Sequence, residues 1–305
     1  MKIKQVLPLL KATFSDWNDH NAPRLGAALA FYTILSLSPL VILVLSLVGF
    51  LFDRSTAQAH IVAQFEAMIG SDGGKAVQTM LTSAQKPSSG IIGSIIGIIT
   101  LLFGASGVFG ELRSALNLMW DVTPKNTSGV MGMLRERFFS FGMVLSIGFL
   151  MMVSLLLSTA LAIVGKFFAG LLPLPAMVIA AMNFVVAFVG IAILFAVIFK
   201  FVPETKISWR NVRTGAVVTA LLFMLGKSLI GLYLSKAGVG SSYGAAGSLI
   251  VVIVWVYYSA QIFFFGAEFT HVYAQSRDPN LRRPATPPAS EPKPDGQRSP
   301  AGYAT

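Results

Sequence analysis

Long uncharged apolar runs alternate along this chain with short polar connections. The runs cover residues 25–52, 91–110, 138–165, 167–199, 214–235 (interrupted by Lys227) and 237–267. About 20 residues, rising about 1.5 Å each, cross roughly 30 Å of hydrocarbon. Pro173 and Pro175 predict that the fourth helix begins near 174. The loop-like GVGSSYGAAG predicts that the last helix begins near 245. The pattern therefore predicts an all-α, six-span helix bundle over residues 24–275. Its spans fall at about 25–52, 91–117, 138–165, 174–199, 214–235 and 245–267.

The first connection, 53–90, is too long for a turn. Ile61, Phe65, Met68 and Ile69 recur at helical spacing, as do Val77, Met80 and Leu81. Two short amphipathic helices over the outer face are expected, their stripes serving packing rather than a ligand groove. In residues 1–23, Val6, Leu9, Leu10, Phe14 and Trp17 share a side and lysines lie elsewhere. That segment reads as a helix on the inner leaflet. Residues 276–305 are Pro-rich and nearly devoid of apolar side chains, which predicts a disordered tail.

Charge adds orientation. Only 12% of residues are charged and 54% are hydrophobic, too few charges to clothe a soluble domain, which carries about 25%. The net charge of +10 is gathered in blocks between apolar runs, which points to topology signals and anionic lipid rather than nucleic acid. Lys2, Lys4, Lys11 and Arg24 precede the first span; Arg113, Lys125, Arg135 and Arg137 follow the second; Lys200, Lys206, Arg210 and Arg213 follow the fourth; and Arg277, Arg282, Arg283, Lys293 and Arg298 follow the sixth. The third and fifth connections hold only Lys166 and Lys236. Both termini are thus expected on the cytoplasmic side of the membrane. The opening residues have no h-region and no small-residue cleavage site, so no cleaved signal is expected. The chain has no cysteine, which excludes disulfides and thiolate chemistry.

Several positions have two readings. Pro39 breaks the first span's hydrogen-bond ladder, as a hinge or as a static kink that Ser36 and Ser38 help to satisfy. Gly93, Gly97, Gly104, Gly107 and Gly110 give the second helix a small face for close helix approach, or for contact with a substrate. Glu111 and Arg113 form a helix-end ion pair or, with Asn117, a polar inner cluster. Gln261 and Glu268 are seven apart on one helix face, and line an inner vestibule or pair with basic loops. Lys227 is the charge well inside a span; it snorkels outward or faces an interior polar cavity and an anionic headgroup. His20, His60 and His271 are scattered, no metal-ligand spacing occurs, and no metal or cofactor is expected.

RLGAALAFYTILSLSPL (24–40), ELRSALNLMWDV (111–122), FVPETKISWRNVRTGA (201–216) and YGAAGSLIVVIVWVYYSAQIFFFGAEFT (243–270) resemble the YihY/BrkB family of bacterial inner-membrane proteins. That resemblance implies six spans, no established catalytic residues, and an association with virulence and envelope lipid export. It also implies that an old ribonuclease label was misapplied, and nothing in this sequence supplies a nuclease site. The function expected first is transport or flipping of an amphiphilic, anionic lipid-like substrate, with membrane lipids as partners. A non-catalytic scaffold or envelope-assembly factor is the alternative, and a membrane-embedded enzyme the least favoured.

Overall fold

A computed structural model describes residues 6–48, 54–84, 91–122, 176–205, 207–236, 243 and 246–277. Among the described residues the regular elements are all helices: α1 (Val6–Asp19), α2 (Ala22–Val48), α3 (Arg54–Ile69), α4 (Ser71–Ala84), α5 (Ile91–Met119), α6 (Ala176–Phe201), α7 (Trp209–Lys236) and α8 (Gly247–Arg277). Three helical stretches, Phe184–Phe201, Trp209–Leu234 and Gly247–Arg277, are long and apolar enough to cross a membrane, and Ala22–Leu37 is a shorter apolar one. The expected third span, 138–165, and tail residues 278–305 lie outside the described residues.

Helix α8 organises the bundle. It packs against α7, α2, α1 and α4, and its C-terminal half is buried almost continuously from Phe263 to Ala274. The last helix does not stop near Ala267, where the apolar run ends, but continues to Arg277. No Gly or Pro interrupts FTHVYAQSR. Its hydroxyls bond back along the helix, Thr270 Oγ1 to Gly266 O at 2.7 Å and Ser276 Oγ to Tyr273 O at 2.7 Å. The Arg277 guanidinium lies 4.9 Å from the Tyr273 ring and suits a helix C-terminus.

The contact between α7 and α8 is reciprocal. Thr219 donates to Gly215 O at 2.7 Å, and Thr270 makes the same bond to Gly266 O. Each threonine then sits on the other helix's glycine. A β-carbon on Gly215 would lie 2.6 Å from Thr270 Cβ, and one on Gly266 would lie 2.7 Å from Thr219 Cβ. In lipid, where apolar surface gains little from leaving its surroundings, such close approach is what holds helices together. The α2–α5 contact uses the same device. Ser36 presses on Gly104 and Tyr32 on Gly107, their side-chain atoms 2.8 and 2.7 Å from where a β-carbon would stand. Gly110 has nothing within 4 Å, and the surroundings of Gly93 and Gly97 are outside the described residues. Helix α2 remains helical through Pro39. Ser36 Oγ donates to Thr33 O at 3.0 Å rather than to the Leu35 carbonyl that Pro39 frees.

Helices α3 and α4 occupy the connection where two amphipathic helices are expected. Gly70, at φ 95°, turns the chain between them. Ile69, Val77 and Leu81 are buried with Leu37, Val41, Val251 and Val252, and Ile61, Phe65 and Met80 pack against that cluster. These stripes are packing surface. The α1 stripe divides. Leu9 and Thr13 are buried, Leu9 against Phe269, Val272 and Tyr273 of α8, whereas Leu7, Leu10 and Phe14 are exposed. A second exposed apolar face runs along α6 and α7, through Phe184, Val189, Ile193, Leu221, Leu225, Leu229 and Leu232. An apolar surface of this extent suits lipid contact.

Candidate functional site

Two tight helix ends bring distant residues together. Helix α1 stops at Asn21, which takes φ 53°, a left-handed conformation that Asn tolerates. The Asn21 amide donates to Asn18 O at 2.9 Å, and the Asn21 carbonyl accepts the Arg24 and Leu25 amides that open α2. Pro23 in the first turn of α2 has no amide to satisfy. This turn holds His20 against α8. Helix α5 ends likewise at Asp121, φ 52°. The Asp121 amide donates to Leu118 O at 3.1 Å and the Val122 amide to Asn117 O at 2.8 Å, the paired bonds of a Schellman cap. That cap presents Trp120 and Asp121. From α8 come Glu268 and His271, three apart and therefore on one face.

Three buried side chains, His20, Glu268 and His271, form one polar cluster with Asp121, whose side chain is 36% exposed. His20 Nδ1 donates to Glu268 Oε1 at 2.5 Å. His20 Nε2 lies 3.9 Å from Asp121 Oδ1, and His271 Nε2 lies 3.9 Å from Asp121 Oδ2. Gln275 Nε2 donates to His271 Nε2 at 2.9 Å, and the Trp120 ring is 4.9 Å from the His271 ring. Glu268 is wholly buried, and His20 and His271 are 8% and 5% exposed. A carboxylate removed from solvent must be neutralised or bonded, because desolvating it costs several kcal/mol. His20 supplies that bond. The cluster thus ties the α1–α2 turn, the end of α5 and α8 with titratable groups.

A second polar group lies at the end of α5. Arg113 is ion-paired to Glu204 in the α6–α7 connection, and Asn117 Oδ1 accepts the Glu204 amide at 2.9 Å. Lys200 adds a hydrogen bond to Ile207 O at 2.5 Å and stands 5.7 Å over the Trp209 ring. Asn117 is 2% exposed, while the Arg113–Glu204 side chains are 31% and 25% exposed. Asn117→Ala, which empties a buried position and leaves the part-buried Glu204 amide without its acceptor, is expected to lower stability by about 1–2 kcal/mol. Arg113→Ala should cost less than about 1 kcal/mol, because solvent screens the pair. Thermal unfolding of the two purified variants checks the ranking.

The residues singled out from sequence are therefore not one site. Arg113 and Asn117 meet at Glu204, not at Glu111, which is half-buried with no polar partner among the described residues. Gln261 and Glu268 both face the start of α2. Gln261 Cδ stands 3.2 Å from where a Gly26 β-carbon would be, and its buried amide has no hydrogen-bond partner among the described residues. Lys227 lies on α7, half-buried, away from both clusters. The three histidines that look scattered in sequence include two that converge. His20 and His271 join Asp121 and Glu268 because the αL turns at Asn21 and Asp121 return their chains to α8, which spacing alone does not reveal. Among the described residues no group of three or more His, Cys, Asp and Glu is arranged to hold a metal ion.

A family model described as "Virulence factor BrkB" matches residues 13–291. The chain belongs to this family. Its similar relatives include the ribonuclease-like protein YfkH of Bacillus subtilis (strain 168), 27% identical over 266 residues, 86% of this chain and 94% of YfkH. A UPF0761 membrane protein of Actinobacillus pleuropneumoniae serotype 5b is 27% identical, covering 88% of this chain and 94% of its own. The UPF0761 membrane protein RSc1559 of Ralstonia nicotianae is 25% identical over 82% of this chain and 55% of its own length. No solved structure matches. As a BrkB-family chain with apolar, membrane-length helices, this is an integral membrane protein. The BrkB match encloses both polar clusters and Lys227.

Proposed function

We propose that this chain transports or flips an amphiphilic, anionic lipid-like substrate across the bacterial inner membrane, with both termini in the cytoplasm. The observation that carries this reading is the setting of Lys227. A lysine at the centre of a membrane helix costs roughly 2.5–3.5 kcal/mol and is retained where it has an anionic counterpart or a polar path. Lys227 follows Ala216 and Ala220 at eleven and seven residues, so it lies on their helix face. Both alanines are buried. The exposed stripe of Leu221, Leu225, Leu229 and Leu232 lies on another side of α7. Lys227 has no hydrogen bond or ion pair among the described residues, which leaves its ammonium available to a headgroup phosphate or carboxylate.

Reconstitution into vesicles with labelled lipids tests this. Vesicles containing the protein should expose labelled anionic lipid to a membrane-impermeant quencher faster than empty vesicles. Lys227→Met should slow that movement by about tenfold, equivalent to about 1.4 kcal/mol. Equal rates with and without protein, across lipid classes, reject transport; an undiminished Lys227→Met rate rejects this lysine's role. The scaffold reading draws on the glycine-mediated packing of α2 with α5 and α7 with α8, and predicts no movement at all. Against a nuclease reading, the Glu268 side chain is wholly buried.

A further inference from the structure

We propose that His20, Glu268, His271 and Asp121 form a proton-binding site whose occupancy governs docking of the α1–α2 turn on α8. The placement of charge leads to this. His20 is hydrogen-bonded to Glu268 and 3.9 Å from Asp121. When the ring carries a second proton, one positive charge stands between two carboxylates. When it releases that proton, Glu268 remains a buried anion beside a neutral ring, in surroundings where unbalanced charge is expensive. His271, 3.9 Å from Asp121, repeats the arrangement on the other side of that carboxylate. Imidazole is the side chain whose ordinary charge change falls in roughly the pH 5–8 range.

The charged groups on the surrounding elements do not replace this balance. On α1, Asp16 lies one turn before His20, and Asp19 adjoins it; on α2, Arg24 lies one turn after. The α5 end adds Asp121, and its Arg113 is committed to Glu204. Helix α7 contributes no acidic residue, and its Arg210 and Arg213 are exposed. On α8, Arg277 stacks on Tyr273. The mechanical link is equally direct. His20 is held in the turn by the αL residue Asn21, and α1 rests on α8 through Leu9, Phe269, Val272 and Tyr273. Besides that apolar contact, Trp17 packs α1 against the main core, and the His20–Glu268 bond is the polar tie at its end. Release of the second proton leaves that bond to a neutral ring, which weakens the tie.

This inference is independent of the substrate proposed above, and its readout does not use transport. The full chain in lipid nanodiscs contains four tryptophans, of which Trp120 lies 4.9 Å from His271 with the rings tilted at 43°. A protonated imidazole quenches a neighbouring indole, so tryptophan emission should step down as pH falls between roughly 8 and 5. Trp120→Phe and His271→Gln should each remove the step, Glu268→Gln should displace its midpoint, and His60→Gln on α3 should leave it unchanged. Hydrogen exchange in Val6–Asp19, corrected for the intrinsic pH dependence, should be faster at about pH 8 than at about pH 6 in the wild type. In Glu268→Gln that difference should vanish. Should Glu268→Gln not fold, His20→Gln serves the same purpose. A wild type with no emission step overturns the site. So does a step that survives both His271→Gln and the Glu268 or His20 variant. A step with no accompanying change in α1 exchange overturns the docking role. A normal step and α1 response in protein that moves no lipid would support this site while rejecting the transport reading.

Discussion

Gly215→Ala is expected to destabilise the protein by about 2 kcal/mol or more, although alanine is the better helix former. The added methyl would fall 2.6 Å from Thr270 Cβ. Thr270 cannot swing aside without breaking its 2.7 Å bond to Gly266 O, and its own backbone belongs to the most buried part of α8. Helices α7 and α8 must then separate along a contact whose value lies in close approach. Gly266→Ala should behave alike, through Thr219. Leucine at either position should prevent recovery of monodisperse protein. The contrast comes from Gly110 and Gly231, which have nothing within 4 Å of a β-carbon. Alanine there should be neutral or stabilising by roughly 0.5–1 kcal/mol. A further check moves bulk from one helix to the other, since Gly215→Ala combined with Thr270→Gly should recover much of the loss. Thermal unfolding of the four alanine variants and the double variant decides the matter. Equal melting temperatures for Gly215→Ala and Gly110→Ala would refute the reciprocal contact.

His20→Leu should be the most damaging single change in the polar cluster, at about 3–5 kcal/mol. The leucine has a similar volume, so little of that loss is cavity. It reflects Glu268, wholly buried, deprived of the imidazole that donates to it at 2.5 Å. Adding Glu268→Met to His20→Leu removes the buried carboxylate as well. The double variant should regain most of the stability, because an apolar replacement of a buried pair is often neutral or better. Unfolding midpoints of the two single variants and the double variant give the coupling directly. A double variant no more stable than His20→Leu would show that the bond between these residues contributes nothing.

The helical class and, among the described residues, the positions of the apolar helices are readable in the chain, because lipid leaves a segment few alternatives to satisfying its own backbone. The outer-loop helices were readable for a different reason: Ile61, Phe65, Ile69, Val77 and Leu81 fall at helical spacing in an otherwise polar stretch, and they pack as that spacing implies. The end of α8 is less readable. The apolar run stops at Ala267 but the helix does not, because its later polar side chains find partners within the protein. The candidate site is the least readable part. Arg113 invites pairing with adjacent Glu111, yet it meets Glu204, which the loop after α6 brings to the end of α5. His20 and Asp121 look like loop residues. Each stands at or just before a left-handed helix end, and only the three-dimensional return of those turns onto α8 shows that they are neighbours. The available clue was Asn21 after His20 and a Trp–Asp pair closing α5, both weak without the fold.

The span between the partners also sets an order of events during synthesis. His20 and Glu268 are separated by 248 positions, and a ribosome adds about 5–20 residues per second. The first helix to emerge therefore waits roughly 12–50 seconds for the last one to be made. Until α8 enters the bilayer, α1, α2 and α7 all lack a neighbour on which they close. A nascent chain cut short before Gly247 would be expected to show its N-terminal helix to added protease, and full-length protein to protect it.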